Sequence, residues 1–336
     1  MPIATAREFS SVLERLPEGH VPTAAEMAVF SGLSRAESAQ LVPEWTALAG
    51  DQREILMTIA VALSTDSVDY DFSALARIAL ADASPRVREH AAELLWESND
   101  AAVGSQLAGL LRDDPDSAVR AAAAASLKQF VTLREFDRLD EAAGDAIVDR
   151  LRAAAEDPAE ELPVRANAVE SLGPRSLPFV PMLIEDAYTA DERDLRLAAV
   201  RAMGDTADER WVEYLLEQFY AEDPEFRFAA ALSAGEIGSE DAVEPLAGLL
   251  KDPDLDVVLG AIGALADIAG EDAVRALKGF ERHAPEEVAG ALHEAIELAA
   301  ENTPGLDLEE LDDEADRDEF DEIDYEAAEF DEPDFE

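Results

Sequence analysis

Four histidines, His20, His90, His283 and His293, are the imidazoles that could hold a metal or move a proton in this chain. None stands in an HExxH pattern, and no two fall at ligand spacing on one helical turn, so they do not compose a metal site. Histidine is followed by glutamate once, at His293–Glu294. Asp252, Asp254 and Asp256 alternate in DPDLDVV like the opening of a calcium loop. Val257 takes the sixth position, where such a loop turns on glycine, and Gly263 the twelfth, where a bidentate glutamate closes it, so the alternation reads as a turn. There is no cysteine, which removes disulfides, thiolate ligands and thiol nucleophiles. Neither GxGxxG nor GxxxxGK followed by Ser or Thr occurs, so no glycine-rich loop is available to cradle a phosphate. With 77 acidic residues, chance carboxylate pairs are inevitable and single out no acid–base couple. No catalytic residue, metal or cofactor is assigned.

Residues suited to binding are easier to name. Trp45, Trp96 and Trp211 are candidate surface anchors, because aromatic side chains dominate interface hot spots. Trp96 closes a helical segment; Trp211 opens DERWVEYLLEQFY, with Tyr214 close behind. The competing reading is packing between helices. Near the C-terminus, Phe320, Tyr325, Phe330 and Phe335 stand five residues apart, each flanked by acids. Pure solvation needs no aromatics, so these are read as acidic-aromatic docking motifs for a basic, apolar-pocketed partner. An inert solubilising tail is the alternative.

The elements that must position these residues show themselves as a repeat. SPRVREHAAELL, DSAVRAAAAASL, ELPVRANAVESL, ERDLRLAAVRAM, DPEFRFAAALSA and the weaker DLDVVLGAIGAL align on Arg88, Arg120, Arg165, Arg196, Arg227 and Val258. The spacings are 32, 45, 31, 31 and 31, and the same period relates EDAVEPLAGLLKD at 240–252 to EDAVRALKGFERH at 271–283. One more step reaches Ala289 in a degenerate closing copy. A fixed period in two separate segments marks a repeat architecture. Each unit reads as two helices. Val243, Leu246, Leu249 and Leu250 fall at helical spacing in the first, an Asp-Pro turn ends it, and an alanine-rich second helix follows. Such a hairpin cannot bury its apolar stripe alone, so neighbours must stack into an all-α solenoid. The long 45-residue step places an insertion near 133–146, around LREFDRLDEAAGDA. It either forms a loop on one face or lengthens a helix.

The VRxxAxxxL signature at Val87–Leu95 and Val119–Leu127 resembles HEAT repeats of the short, bilin-lyase-like type over roughly residues 72–300. The segment from Gly32 to Leu63 is similar to N-terminal helices that precede such repeats. The resemblance implies an armadillo-type superhelix whose second helices face the concave, partner-binding side. It also implies that each motif arginine is structural and pairs with an aspartate of its own preceding turn, as the six-residue offsets Asp82/Arg88 and Asp114/Arg120 allow. Arg196 and Arg227 have acids at other offsets. The family includes bilin lyases and di-iron hydroxylases. The latter need several His-Glu pairs on successive repeats, and the repeat alone does not carry the former's chemistry. Organisation is expected as an N-terminal helical cap over 1–71, repeats over 72–300 and an acidic, disordered tail over 301–336.

Charge narrows the partner. The chain carries 77 acids against 26 bases, a net of −51; 19 of those acids and one base lie in 301–336, so residues 1–300 keep a net of −33. Such a field disfavours nucleic acid and anionic lipid and favours a protein with a basic or mixed basic and apolar surface. Only three lysines accompany 23 arginines, a bias that fits a high-GC genome, while the acidity also suits a salt-rich cytoplasm. No apolar run approaches membrane-spanning length, and MPIATAREFSSVLERL reads as an amphipathic helix rather than a secretory leader, so a cytoplasmic location is expected. The leading expectation is a non-catalytic scaffold or adaptor. A bilin-lyase-like or other repeat enzyme and a subunit of a signalling or taxis assembly are the alternatives.

Overall fold

The computed structural model describes residues 6–306, all helices, turns and connecting coil, with no strand among them. The chain divides into two compact units, Met1–Thr206 and Ala207–Glu336. In the first unit the helices are α1 (Ala6–Arg15), α2 (Ala24–Met27), α3 (Arg35–Ala47), α4 (Gly50–Asp66), α5 (Ser73–Ala79), α6 (Pro85–Glu93), α7 (Ala101–Asp113), α8 (Ser117–Ser126), α9 (Lys128–Glu135), α10 (Glu141–Glu156), α11 (Leu162–Leu172), α12 (Phe179–Tyr188) and α13 (Arg193–Asp205). The second unit holds α14 (Val212–Gln218), α15 (Pro224–Ile237), α16 (Val243–Leu249), α17 (Leu255–Ile268), α18 (Glu271–Glu281) and α19 (Glu286–Glu301).

Turn chemistry sets where these helices begin. Thr23 and Ser34 open α2 and α3 as reciprocal capping boxes with Glu26 and Glu37. Asp100, Asp116, Asp223 and Asp254 cap the N-termini of α7, α8, α15 and α17 through their carboxylates. Proline occupies the first turn of α6, α11 and α15, where its missing N–H leaves no intrahelical bond unmade. Asp114–Pro115 and Asp252–Pro253 lie in the turns that lead into α8 and α17. Asp252 and Asp254 of the calcium-like DPDLDVV are engaged there: Asp252 accepts from Arg227 and Asp254 caps α17.

Helices pair as hairpins, and the hairpins stack through their second members. In the first unit α4 packs on α6, α6 on α8, α8 on α11 and α11 on α13; in the second α15 packs on α17 and α17 on α19. Small side chains permit this. Ala91, Ala92, Ala123, Ala124 and Ala168 are fully buried between neighbours. Two buried serines add direct links: Ser126 Oγ donates to the Ala92 carbonyl at 2.8 Å, and Ser171 Oγ to that of Ala124 at 2.9 Å. Each satisfies a hydroxyl that would otherwise be costly to bury. In the second unit α15 and α17 approach so closely that a Cβ on Gly235 would lie 2.6 Å from Ala264 Cα.

The extra residues of the long repeat step fold into α9 and the turn after it. Phe130, Val131 and Leu133 of α9 are buried, whereas Phe136 in the turn is exposed. Arg134 ties α9 to the start of α10, with Nε 3.0 Å from Asp145 Oδ1 and Nη1 3.1 Å from Asp137 Oδ1. Residues 136–140 connect α9 to α10. The four aromatic residues of the acidic tail, Phe320, Tyr325, Phe330 and Phe335, lie outside the described residues.

Candidate functional site

The motif arginines knit successive turns together. Arg88 in α6 donates through Nη1 to the Asp82 backbone carbonyl at 2.8 Å, while Nε and Nη2 grip the Asp114 carboxylate at 2.7 and 2.8 Å. Arg120 repeats this on the Asp114 carbonyl and the Glu160 carboxylate, and Arg227 on the Ala221 carbonyl and the Asp252 carboxylate. Arg196 donates to the carbonyls of Ala190 and Asp191. The pairing implied by the resemblance is thus corrected. An arginine reads the backbone of its own preceding turn, and its carboxylate comes from the turn of the next hairpin, 25 to 40 residues on. Six residues place the guanidinium beside the carbonyl, and the aspartate there points onward to the previous arginine. Asp82 accordingly pairs with Arg53 of α4 at 2.7 Å and accepts from Trp45 Nε1 at 3.1 Å. Sequence reasoning did not find Arg53, because its helix lacks the VRxxA pattern.

These carboxylates are deeply placed, and each also accepts a backbone N–H from its own turn: Ser84 to Asp82, Asp116 to Asp114, Glu161 to Glu160 and Asp254 to Asp252. Burial pushes the Asp114 carboxyl up, but the Arg88 bonds and the Asp116 amide outweigh it and hold it below the ordinary aspartate range. Asp252 follows the same balance with Arg227 and the Asp254 amide. Arg88, Arg120 and Arg227 tie adjacent turns in this geometry.

A different carboxylate, Asp205 at the end of α13, goes the other way. Burial raises it to about 6, only partly opposed by Lys128, whose Nζ lies 2.7 Å away, and reinforced by Glu170. Lys128 also approaches Glu170 at 3.7 Å, and Arg201 reaches Glu170 at 3.6 Å, so one charged cluster joins α9, α11 and α13.

The surface most suited to a partner lies in the first unit, where the end of α4, the 67–72 connection and the turn after α6 enclose an open groove of about 820 Å³. Trp96 stands in it at 60% exposure and Val68 at 98%. Leu95, one residue before Trp96, is buried, so the chain turns the indole outward as α6 ends. Tyr70 stacks on the buried Phe72 with ring centroids 5.9 Å apart, which stiffens the floor. Asp71, Glu93 and Glu97 line the groove, and its one arginine, Arg77, is paired to Asp100. The arrangement offers an apolar anchor within an acidic surround.

The other candidate anchors behave differently. Trp211 is 1% exposed and packs edge-on against Tyr214 at 5.4 Å, so it belongs to the core and presents no surface. Tyr214 is 37% exposed. Trp45 is buried beneath the Asp82 contact.

A family model described as HEAT repeats matches residues 72–160, 180–266 and 212–297. The chain belongs to the HEAT-repeat family. Among solved structures it is similar to the CpcE–CpcF phycocyanin lyase complex of a Nostoc species, at 21% identity and a TM-score of 0.51, covering 73% of this chain and 93% of that one. It is also similar to Kap95p bound to RanGDP (13%, TM-score 0.46, covering 88% and 46%) and to human deoxyhypusine hydroxylase (16%, TM-score 0.35, covering 88% and 96%). No curated protein sequence matches it. At these identities the likeness shows the HEAT-like solenoid fold alone. Among the described residues no helix of this HEAT-repeat chain is long and apolar enough to cross a membrane.

Proposed function

We infer that this HEAT-repeat protein is a non-catalytic scaffold that holds a protein segment in the groove beside Trp96, with the acidic-aromatic residues 320–335 as an auxiliary docking segment. The observation that carries this is an exposed tryptophan set among three carboxylates and one already paired arginine. A segment with Lys or Arg flanking an apolar side chain complements it, because the charges steer the encounter while the indole supplies most of the contact energy. The net charge of −51 acts in the same sense. Repeat solenoids commonly bind protein partners, and the carboxylates of Asp82, Asp114, Glu160 and Asp252 serve as inter-hairpin ties.

Fluorescence tests the reading directly, since Trp96 is exposed while Trp45 and Trp211 are buried. Titration with Lys/Arg-rich apolar peptides is expected to blue-shift and protect the exposed indole. Replacing Trp96 by Ala is expected to weaken binding by about 30-fold, the equivalent of a hot-spot loss near 2 kcal/mol. Peptides that bind W96A as tightly as the wild type would sink the proposal. The lyase complex among the structural neighbours makes a pigment-processing enzyme the second reading. Visible absorbance of the purified protein from a tetrapyrrole-producing host separates the two.

A further inference from the structure

The turn before each second helix contains a position, six residues ahead of the motif residue, that decides whether the previous hairpin's arginine has a carboxylate. Aspartate fills it at Asp82, Asp114 and Asp252, and Glu160, one residue further on, serves the longer repeat. In all four the carboxylate lies between a guanidinium from the previous hairpin and a backbone N–H of its own turn. Before Arg196 the position holds Ala190. The arginine that should meet it is Arg165 of α11, which packs on α13 as α8 packs on α11. Arg165 Nε is buried without a hydrogen-bond partner among the described residues. Asp191 and Glu192, the nearest acids in the turn, are both exposed.

We propose that Arg165 and the turn at 190–192 form a binding site for a carboxylate supplied from outside the described helices. The ligand is an Asp or Glu side chain or a chain-terminal carboxylate, gripped by the guanidinium fork and by the Glu192 N–H as Asp114 and Asp252 are gripped in their own turns. Three features favour a carboxylate over other anions. The sibling sites take a planar two-oxygen group in a side-on guanidinium pair. Alanine at position 190 leaves room for a group that its siblings provide from the same chain. A field of −51 opposes a phosphate dianion more strongly than a monoanion. The proposal concerns a site separate from the Trp96 groove and stands or falls independently of it.

The test follows the Arg165 side-chain Nε–H signal by NMR, assigned with R165K, together with thermal melts of the full chain in sodium acetate, chloride and phosphate at matched ionic strength. Acetate is expected to shift the Arg165 signal toward those of Arg88 and Arg227 and to raise Tm above its value in chloride, whereas phosphate does not. In A190D the signal should already stand at the bonded position, Tm should rise by about 2–4 °C, and the acetate effect should vanish. A full-length chain with the acids of 307–336 changed to Asn or Gln distinguishes the source. If the chain's own tail supplies the carboxylate, the wild-type signal is already bonded and becomes acetate-sensitive only in this variant. If a second protein supplies it, both chains respond to acetate alike. The proposal is overturned if neither chain responds to acetate, if phosphate acts equally well, or if A190D gains no stability and keeps the acetate effect.

Discussion

At the level of single side chains, two kinds of carboxylate give this protein opposing responses to pH. Asp114 and Asp252 titrate below their unfolded range, so the stability they contribute is present above pH ~4 and is lost as pH falls through their depressed values. Asp205 is raised to about 6, so the native state holds its proton more tightly than the unfolded chain does. Its effect is a loss of stability as pH climbs from ~4 to ~6, on the order of 3 kcal/mol at full extent. Urea melts at pH 5 and pH 7 are expected to show a smaller difference for D205N than for the wild type; an unchanged difference would assign that slope to other groups. Replacing Arg88 by Gln leaves the buried Asp114 carboxylate with one amide donor, and a loss of about 3 kcal/mol is expected in the same melts at pH 7. The importance of the arginines was legible in the sequence as a recurrent VR step. The direction of their pairing was not, because a six-residue offset within one turn looks like a contact, whereas the true partner is a whole repeat away.

For the helices, closeness between stacked neighbours rather than propensity decides which glycines matter. Gly235 in α15 faces Ala264 of α17, and a methyl group there meets backbone at 2.6 Å. G235A is expected to destabilise by about 2 kcal/mol, because helix axes rather than a flexible side chain must move. Gly263, only one residue before Ala264, meets nothing within 4 Å, and G263A is expected to stabilise by about 0.5–1 kcal/mol through helix propensity. Calorimetry of the pair checks both signs. The period of 31 and the Asp-Pro turns made the hairpins readable in the sequence. Helical spacing could not tell Trp96 from Trp211. Both flank apolar runs, and only the buried Leu95 beside one and the Tyr214 ring over the other send the first outward and the second inward.

Across the molecule, charge of one sign works against compaction, and salt should relieve it. Tm is expected to rise between low and physiological ionic strength, where the Debye length shortens to ~8 Å; a flat profile would mean that the paired carboxylates already neutralise the field locally. Removal of residues 306–336 is expected to leave the helical melt intact while weakening partner capture, measured by circular dichroism and by the peptide titration. The reach of Trp45 and Arg53 onto Asp82 bears on where this protein can be cut. Similarity to the family begins at residue 72, and a fragment designed on that limit would keep Asp82 while discarding both donors and the α4 surface that covers α6. An expression clone starting there is expected to yield a frayed, protease-sensitive product. One that starts ahead of α3 retains the lid on its first repeat.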